Sequence, residues 1–353
     1  MTTNIATLAA IAAQAKLHHA YFIGLQLMVS VNRDASDIES WMFKLFRSQH
    51  EQKFLSSFEK LGLSELPDAI ACARYHVLSN GIGGVPVEYM EEHSRKAWVR
   101  FRYPRWMYDG PALCGIPPAA SRGFMRGWYA HNGVTLNNPR LGFVCVSDDL
   151  SGEFGFCGYF QEYDHDLNDT QRLRFAVDEL PPAFDASAQP IPPTSSWNEE
   201  RLAKANRNYA MEFVRNGIAE LGNVVGTEQA AVFARKSARL IGLQYYRETA
   251  AIIGAKEGDA NDAASYLATM LSGLGDDASV LPDSNAKRAV VRQRGQRLTR
   301  GLGDDAASVL FDAWSQLWVG TIRAHQQLLD LELRRVDEDT VEWCIFDRRG
   351  SSV

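Results

Sequence analysis

The densest group of titratable side chains beside an apolar run is Glu162-Tyr163-Asp164-His165, at the end of FGFCGYFQEYDH (154–165). A Glu and a His three apart at a strand end can converge on one divalent metal, or act as a base and its orienter. One such pair occurs, not the two Glu-x-x-His helices of a di-iron bundle. The blander alternative is a solvated strand end. His131, in RGWYAHNG (126–133), precedes this segment by a short Asn-Pro loop and so can face Glu162 or Cys157. Cys145 and Cys157 fall on neighbouring strands, and a nucleophilic thiol needs a partner that lowers its pKa. Cys157, nearer His165 along the strand, is the better placed; a buried apolar cysteine is the commoner case.

WVRFRYPRWMYDG (98–110) is the second chemical stretch. Arg100 and Arg102 share one strand face, and Arg105 sits between Pro104 and Trp106. Arginine among aromatic rings suits bidentate capture of a carboxylate or stacking on a planar ligand. Arg102, Arg105, Trp106 and Trp128 are therefore the candidate substrate-binding residues, with His131, Glu162, His165 and Cys157 as the catalytic candidates. The competing reading is an amphipathic strand with a wet basic face. His18 and His19 are adjacent in a helix and diverge by about 100°. His50, His76, His93 and His325 have no partner pattern. No GxGxxG after a strand, Walker A loop or GxSxG elbow occurs, which removes the main support for NAD, ATP and serine-hydrolase readings.

The elements that must position these groups are helical at first. Helices are predicted over 3–31 and 37–61, with Gly62 as C-cap, and a third from Pro67. PVEYMEE and KAWVRFRYP form a hairpin that Pro104 closes. A helix follows from Ser121 as N-cap. Then comes the hairpin of 140–165, with Phe143, Cys145, Phe154, Phe156 and Phe160 supplying its buried face. Residues 181–197 read as a Pro-rich linker between a domain of 1–180 and one of 198–353. Beyond it, helices are expected at about 198–221, 227–256, 259–273, 285–300 and 304–326, then a last hairpin.

VPVEYMEEHSRKAWVRF (85–101) and LDLELRRVDEDTVEWCIF (329–346) share one pattern, which suggests two diverged helices-plus-hairpin copies. GLGDDAS (273–279) recurs as GLGDDAAS (301–308), and its Gly and Asp read as a helix end and the next helix cap rather than as a cation site. The expected fold is α+β and mostly helical: two units of helices and antiparallel hairpins.

The chain has 353 residues, 46% of them hydrophobic, with a net charge of −6, which suits a soluble protein and argues against a nucleic-acid binder. No apolar run reaches the about 18 residues of a membrane span, so no membrane partner is expected. Five cysteines without CxxC spacing fit a reducing, cytoplasmic setting.

Residues 65–166 resemble the L-2-amino-thiazoline-4-carboxylic acid hydrolases and the related 4-vinyl-reductase-like ligand-binding domains. The likeness lies in an acidic strand (VEYMEE), a Trp-bearing strand closing on Pro (AWVRFRYP), a helix, and a Phe/Cys-rich hairpin. RYPRW stands where the family carries a Cys-Pro, so no catalytic residue carries over. The resemblance implies a pocket for a small polar or planar molecule. The function expected is an enzyme acting on a small carboxylate-bearing or heterocyclic metabolite by hydrolysis or another non-redox step. Arg102 and Arg105 would hold the anion, and His131, Glu162 and His165 would be acid/base groups or the ligands of one divalent metal. The alternatives are a non-catalytic ligand-binding protein at the same pocket, or a helical homo-oligomer built on the helices of 3–31 and 227–256.

Overall fold

A computed structural model describes residues 5–102, 105–191, 198–282 and 285–350. Tyr103 and Pro104, the expected close of the first hairpin, and residues 192–197 of the expected linker lie outside them. The chain forms a mostly helical α+β fold in two compact units, one of residues 29–198 and one of residues 5–28 with 199–350. Among the described residues no helix is long and apolar enough to cross a membrane.

The 29–198 unit opens with α2 (Ala35–Leu61), which follows α1 (Ile5–Asn32). Asp34 caps α2 by accepting from Ser36 N (3.1 Å) and Asp37 N (3.0 Å), and Gly62 ends it at φ 68°. α3 (Asp68–Ile82), β1 (Val87–His93), β2 (Lys96–Phe101), α4 (Ala112–Gly115), α5 (Pro118–Gly127), α6 (Asn132–Thr135), β3 (Leu141–Ser147), β4 (Cys157–Glu162) and β5 (Leu173–Phe175) follow. The sheet runs β1-β2-β4-β3-β5, antiparallel except where β3 meets β5.

Side chains alternate along the strands. Phe143 and Phe160 meet Tyr129 and His76 from the helices. Met90, Trp98, Val144, Val146, Cys157 and Tyr159 form a second cluster, with Ala176 against it. In the described part of the expected linker, Gln189 is bonded to the sheet. Gln189 Oε1 accepts from Tyr89 N (2.9 Å) and its Nε2 donates to Tyr89 O (2.8 Å), which satisfies the edge strand β1.

α2 and α5 approach closely because α5 presents glycine. A Cβ on Gly123 would lie 2.3 Å from Glu39 O, and one on Gly127 2.6 Å from Phe43 O.

The other unit contains α7 (Glu199–Val225), α8 (Thr227–Ile253), α9 (Ala260–Leu274), β6 (Asp277–Val280), β7 (Arg288–Arg294), α10 (Asp304–His325), β8 (Leu329–Arg335) and β9 (Thr340–Asp347). Its sheet runs β6-β7-β9-β8, all antiparallel. Residues 5–28 of α1 belong to this unit. Tyr21 Oη donates to Ala234 O (2.9 Å) and Phe22 lies 5.1 Å from Phe213. α8 and α10 cross through glycine, a Cβ on Gly242 falling 2.1 Å from Leu317 O and one on Gly320 2.2 Å from Arg239 O.

Both units thus share the order helix, hairpin, helix, hairpin, and the order of the four hairpin strands, while the first sheet alone adds the parallel strand β5. In that order β1–β2 corresponds to β6–β7, not to the 329–346 hairpin with which the sequence pattern pairs it. The expected helix over 285–300 is replaced by β7, where Ala289, Val291 and Gln293 are buried at period two. The two GLGDDA segments also differ. Gly275 (φ 102°) ends α9 and leads into β6, whereas Asp304 and Asp305 form the first turn of α10.

Candidate functional site

Arg105 does bind a carboxylate among aromatic rings, but the carboxylate is the chain's own. It is 3% exposed, and its Nε donates to Asp149 Oδ2 (2.9 Å) while Nη2 bonds the other oxygen. Nη2 also reaches Ser121 Oγ (3.2 Å) and Asp148 Oδ1 (3.4 Å). The guanidinium stands 4.5 Å from the Phe156 ring centre and 4.7 Å from that of Tyr108. Burial disfavours its charge, yet Asp149, with Tyr108 and Asp148, more than offsets this and its pKa rises. Burial raises Asp148 as well. Ser121 is not the expected N-cap. It lies inside α5 and donates to Asp148 Oδ1 (2.8 Å).

The other predicted residues do not converge with Arg105. Arg102 is exposed and pairs with Glu88 (3.1 Å), which Arg100 shares. Trp106 is half-buried in a single 3-10 turn, Trp106–Tyr108. Glu162 accepts from Asn138 Nδ2 (3.2 Å) and faces Arg140 (3.6 Å) and Arg95 (3.9 Å). His165 is exposed beside Tyr163. The Cys157 thiol is buried in the second cluster of the sheet, and burial pushes its pKa up to about 12, opposite to what a nucleophile requires. Phe154, placed by its sequence on the buried face, is exposed. Among the described residues no group of three or more His, Cys, Asp or Glu side chains is arranged to hold a metal ion.

His131 and Trp128 instead join residues that sequence spacing left unassigned. The His131 ring lies 5.2 Å from that of His50, which lies 5.4 Å from Trp128. His50 comes from α2 and His76 from α3, both buried. Asn132 links them: its Oδ1 accepts from His50 Nε2 (3.1 Å) and its Nδ2 donates to His76 Nε2 (3.4 Å). With the amide in this orientation, His50 carries its proton on Nε2 and leaves Nδ1 as an acceptor. That Nδ1 and the Trp128 Nε1 are buried without a hydrogen-bond partner among the described residues.

Burial first, then the charge of Arg47, lowers His131 to about 4, with Arg172 adding to the effect. Burial and the neighbouring His131 lower His50 to about 3, and burial lowers His76 too. All three are neutral near pH 7. Arg172, from the segment before β5, has Nε and Nη1 buried without a hydrogen-bond partner among the described residues, with Asp169 3.7 Å away. The signal that marks His50 is its place on the buried face of α2, one turn from Phe46 and one from Phe54.

Compared with protein-family models, curated proteins and solved structures, the chain matches none. Its class is set by its own fold and site: a two-unit α+β protein with a neutral histidine–tryptophan corner flanked by arginine.

Proposed function

We propose that the 29–198 unit binds a small planar molecule bearing a carboxylate, at the corner formed by His50, Trp128, His131 and Arg172. The observation that carries this reading is the set of buried polar atoms without a hydrogen-bond partner among the described residues: an acceptor on His50, a donor on Trp128, and two donors on Arg172, whose Nε has only the longer ion pair to Asp169. An unmet buried polar group costs about 1–3 kcal/mol, so a ligand that meets several at once gains directly. The aromatic edges of Trp128 and His50 suit a flat ring, and the Arg172 guanidinium suits an oxyanion.

Binding without turnover is the better-supported form. A base with a pKa of about 3 or 4 is weak at neutral pH, and the buried thiols are protonated. His131, half-buried, shares this weakness as a base.

Titration calorimetry with a panel of heteroaromatic carboxylates tests the proposal. At least one should bind wild type, lose about tenfold or more in affinity in Arg172→Gln, and keep its affinity in Arg102→Ala. A panel with no binder, or equal binding by Arg172→Gln, overturns it. Conversion of a bound ligand on prolonged incubation would replace recognition by catalysis.

A further inference from the structure

The unit of residues 5–28 and 199–350 holds a separate convergence of cations. Arg207, on α7, is 4% exposed. Its Nη1 donates to Gly273 O (3.0 Å), and its Nε (3.2 Å) and Nη2 (3.0 Å) both donate to Asn208 Oδ1. Arg297, in the loop after β7, brings its Nη2 to the same oxygen (3.2 Å). One neutral amide oxygen thus receives three N–H groups from two guanidiniums, a position in which an anion would be far more favourable. Burial and then the Arg297 charge lower Arg207 to about 10, which reports the same crowding.

Asp276 is the carboxylate at hand, and its bonds go elsewhere. Its Oδ1 accepts from the Arg297 backbone N (2.9 Å) and its Oδ2 from Gln293 Nε2 (2.7 Å). Gln293 is fixed in turn by Trp343 Nε1 (2.8 Å). Among the described residues Asp276 makes no ion pair with either guanidinium. Arg297 Nε and Gln296 Nε2 are buried there without a hydrogen-bond partner among the described residues, as is Nε2 of His18, which lies in the field of Arg207.

Gly275 supplies the approach. It is exposed, and at φ 102° a Cβ would stand 3.2 Å from Arg207 Nη1 and 3.4 Å from Arg297 Cδ. Glycine therefore places no side chain against the guanidinium pair on that side.

We propose that Arg207, Arg297 and Gln296 form a binding site for a small oxyanion, carboxylate or phosphate, admitted past Gly275. The site is independent of the His50–Trp128 corner and stands whether or not that corner binds a ligand.

The test is the thermal midpoint of the full chain in inorganic phosphate, in acetate and in chloride at matched ionic strength. Phosphate or acetate should raise the midpoint by several degrees above chloride. A response to phosphate alone assigns a phosphoryl group, and one to acetate alone assigns a carboxylate. Arg297→Gln should abolish the excess response, while Arg102→Ala, at an exposed cation outside both proposed sites, should retain it. Should Arg297→Gln fail to fold, Gln296→Ala keeps both charges and should weaken the response. The proposal is overturned if wild type responds to both oxyanions as it does to chloride, or if the folded variant, Arg297→Gln or in its place Gln296→Ala, responds as wild type does.

Discussion

Arg105 and Asp149 face each other in a two-bonded guanidinium–carboxylate pair inside the 29–198 unit, the second bond running from Nη2 to Oδ1. Removing one partner strands a buried charge. Asp149→Asn and Arg105→Met should each cost about 3–5 kcal/mol by urea denaturation. The double variant Arg105→Met/Asp149→Leu should cost clearly less than the two singles together. Additive losses would mean the two side chains act separately.

Stability should fall with acid through the buried histidines. Burial lowers His18 and His50 from 6.5 to about 3, so between those values the unfolded chain binds more protons than the folded one. The stability from keeping each neutral is fully present above the unfolded value and is lost as pH falls toward the folded one. Each loses about 1.4 kcal/mol per pH unit in that window. Unfolding free energies measured from about pH 7 to 4 should slope accordingly, and His50→Gln should reduce the slope by about one proton.

The glycine crossings set a steric limit. Gly242→Ala and Gly320→Ala place a methyl within 2.1 and 2.2 Å of backbone oxygens, so α8 and α10 must separate. A loss of about 1–3 kcal/mol or more is expected for each. Gly81→Ala, in α3 with nothing within 4 Å, should instead gain about 0.5–1 kcal/mol. Thermal denaturation of the three variants compares them directly.

Thiol reactivity separates structural cysteines from accessible ones. Cys114 is exposed and should react fast with a disulfide reagent in the native protein. Cys72, Cys145 and Cys157 are buried and should react only on unfolding. Rapid modification of Cys157 would return it to the list of nucleophile candidates.

Apolar periodicity made most helices legible in sequence. The expected 37–61, 227–256, 259–273 and 304–326 lie within a few residues of α2, α8, α9 and α10. β7 was hidden because RAVVRQR mixes good helix formers with two valines, and strand partners decide such a segment more than propensity does. The chemistry near Arg105 was legible as a preference for carboxylates. Its partner was not, because Asp149 lay in a stretch whose acidic residues suit a turn. His50 and His76 were hidden for another reason. Each lies on its own helix, and Asn132, the residue that joins them, lies on a third element.

The place of α1 bears on how the chain is made. Its residues 5–28 are made before the 29–198 unit, yet Phe213 and Ala234, against which they settle, are synthesised only after that whole unit. Until then a helix with buried Leu17, Phe22 and Leu25 has no native cover. The growing chain therefore carries an apolar segment that waits on later-made partners, the interval in which chaperone holding counts most.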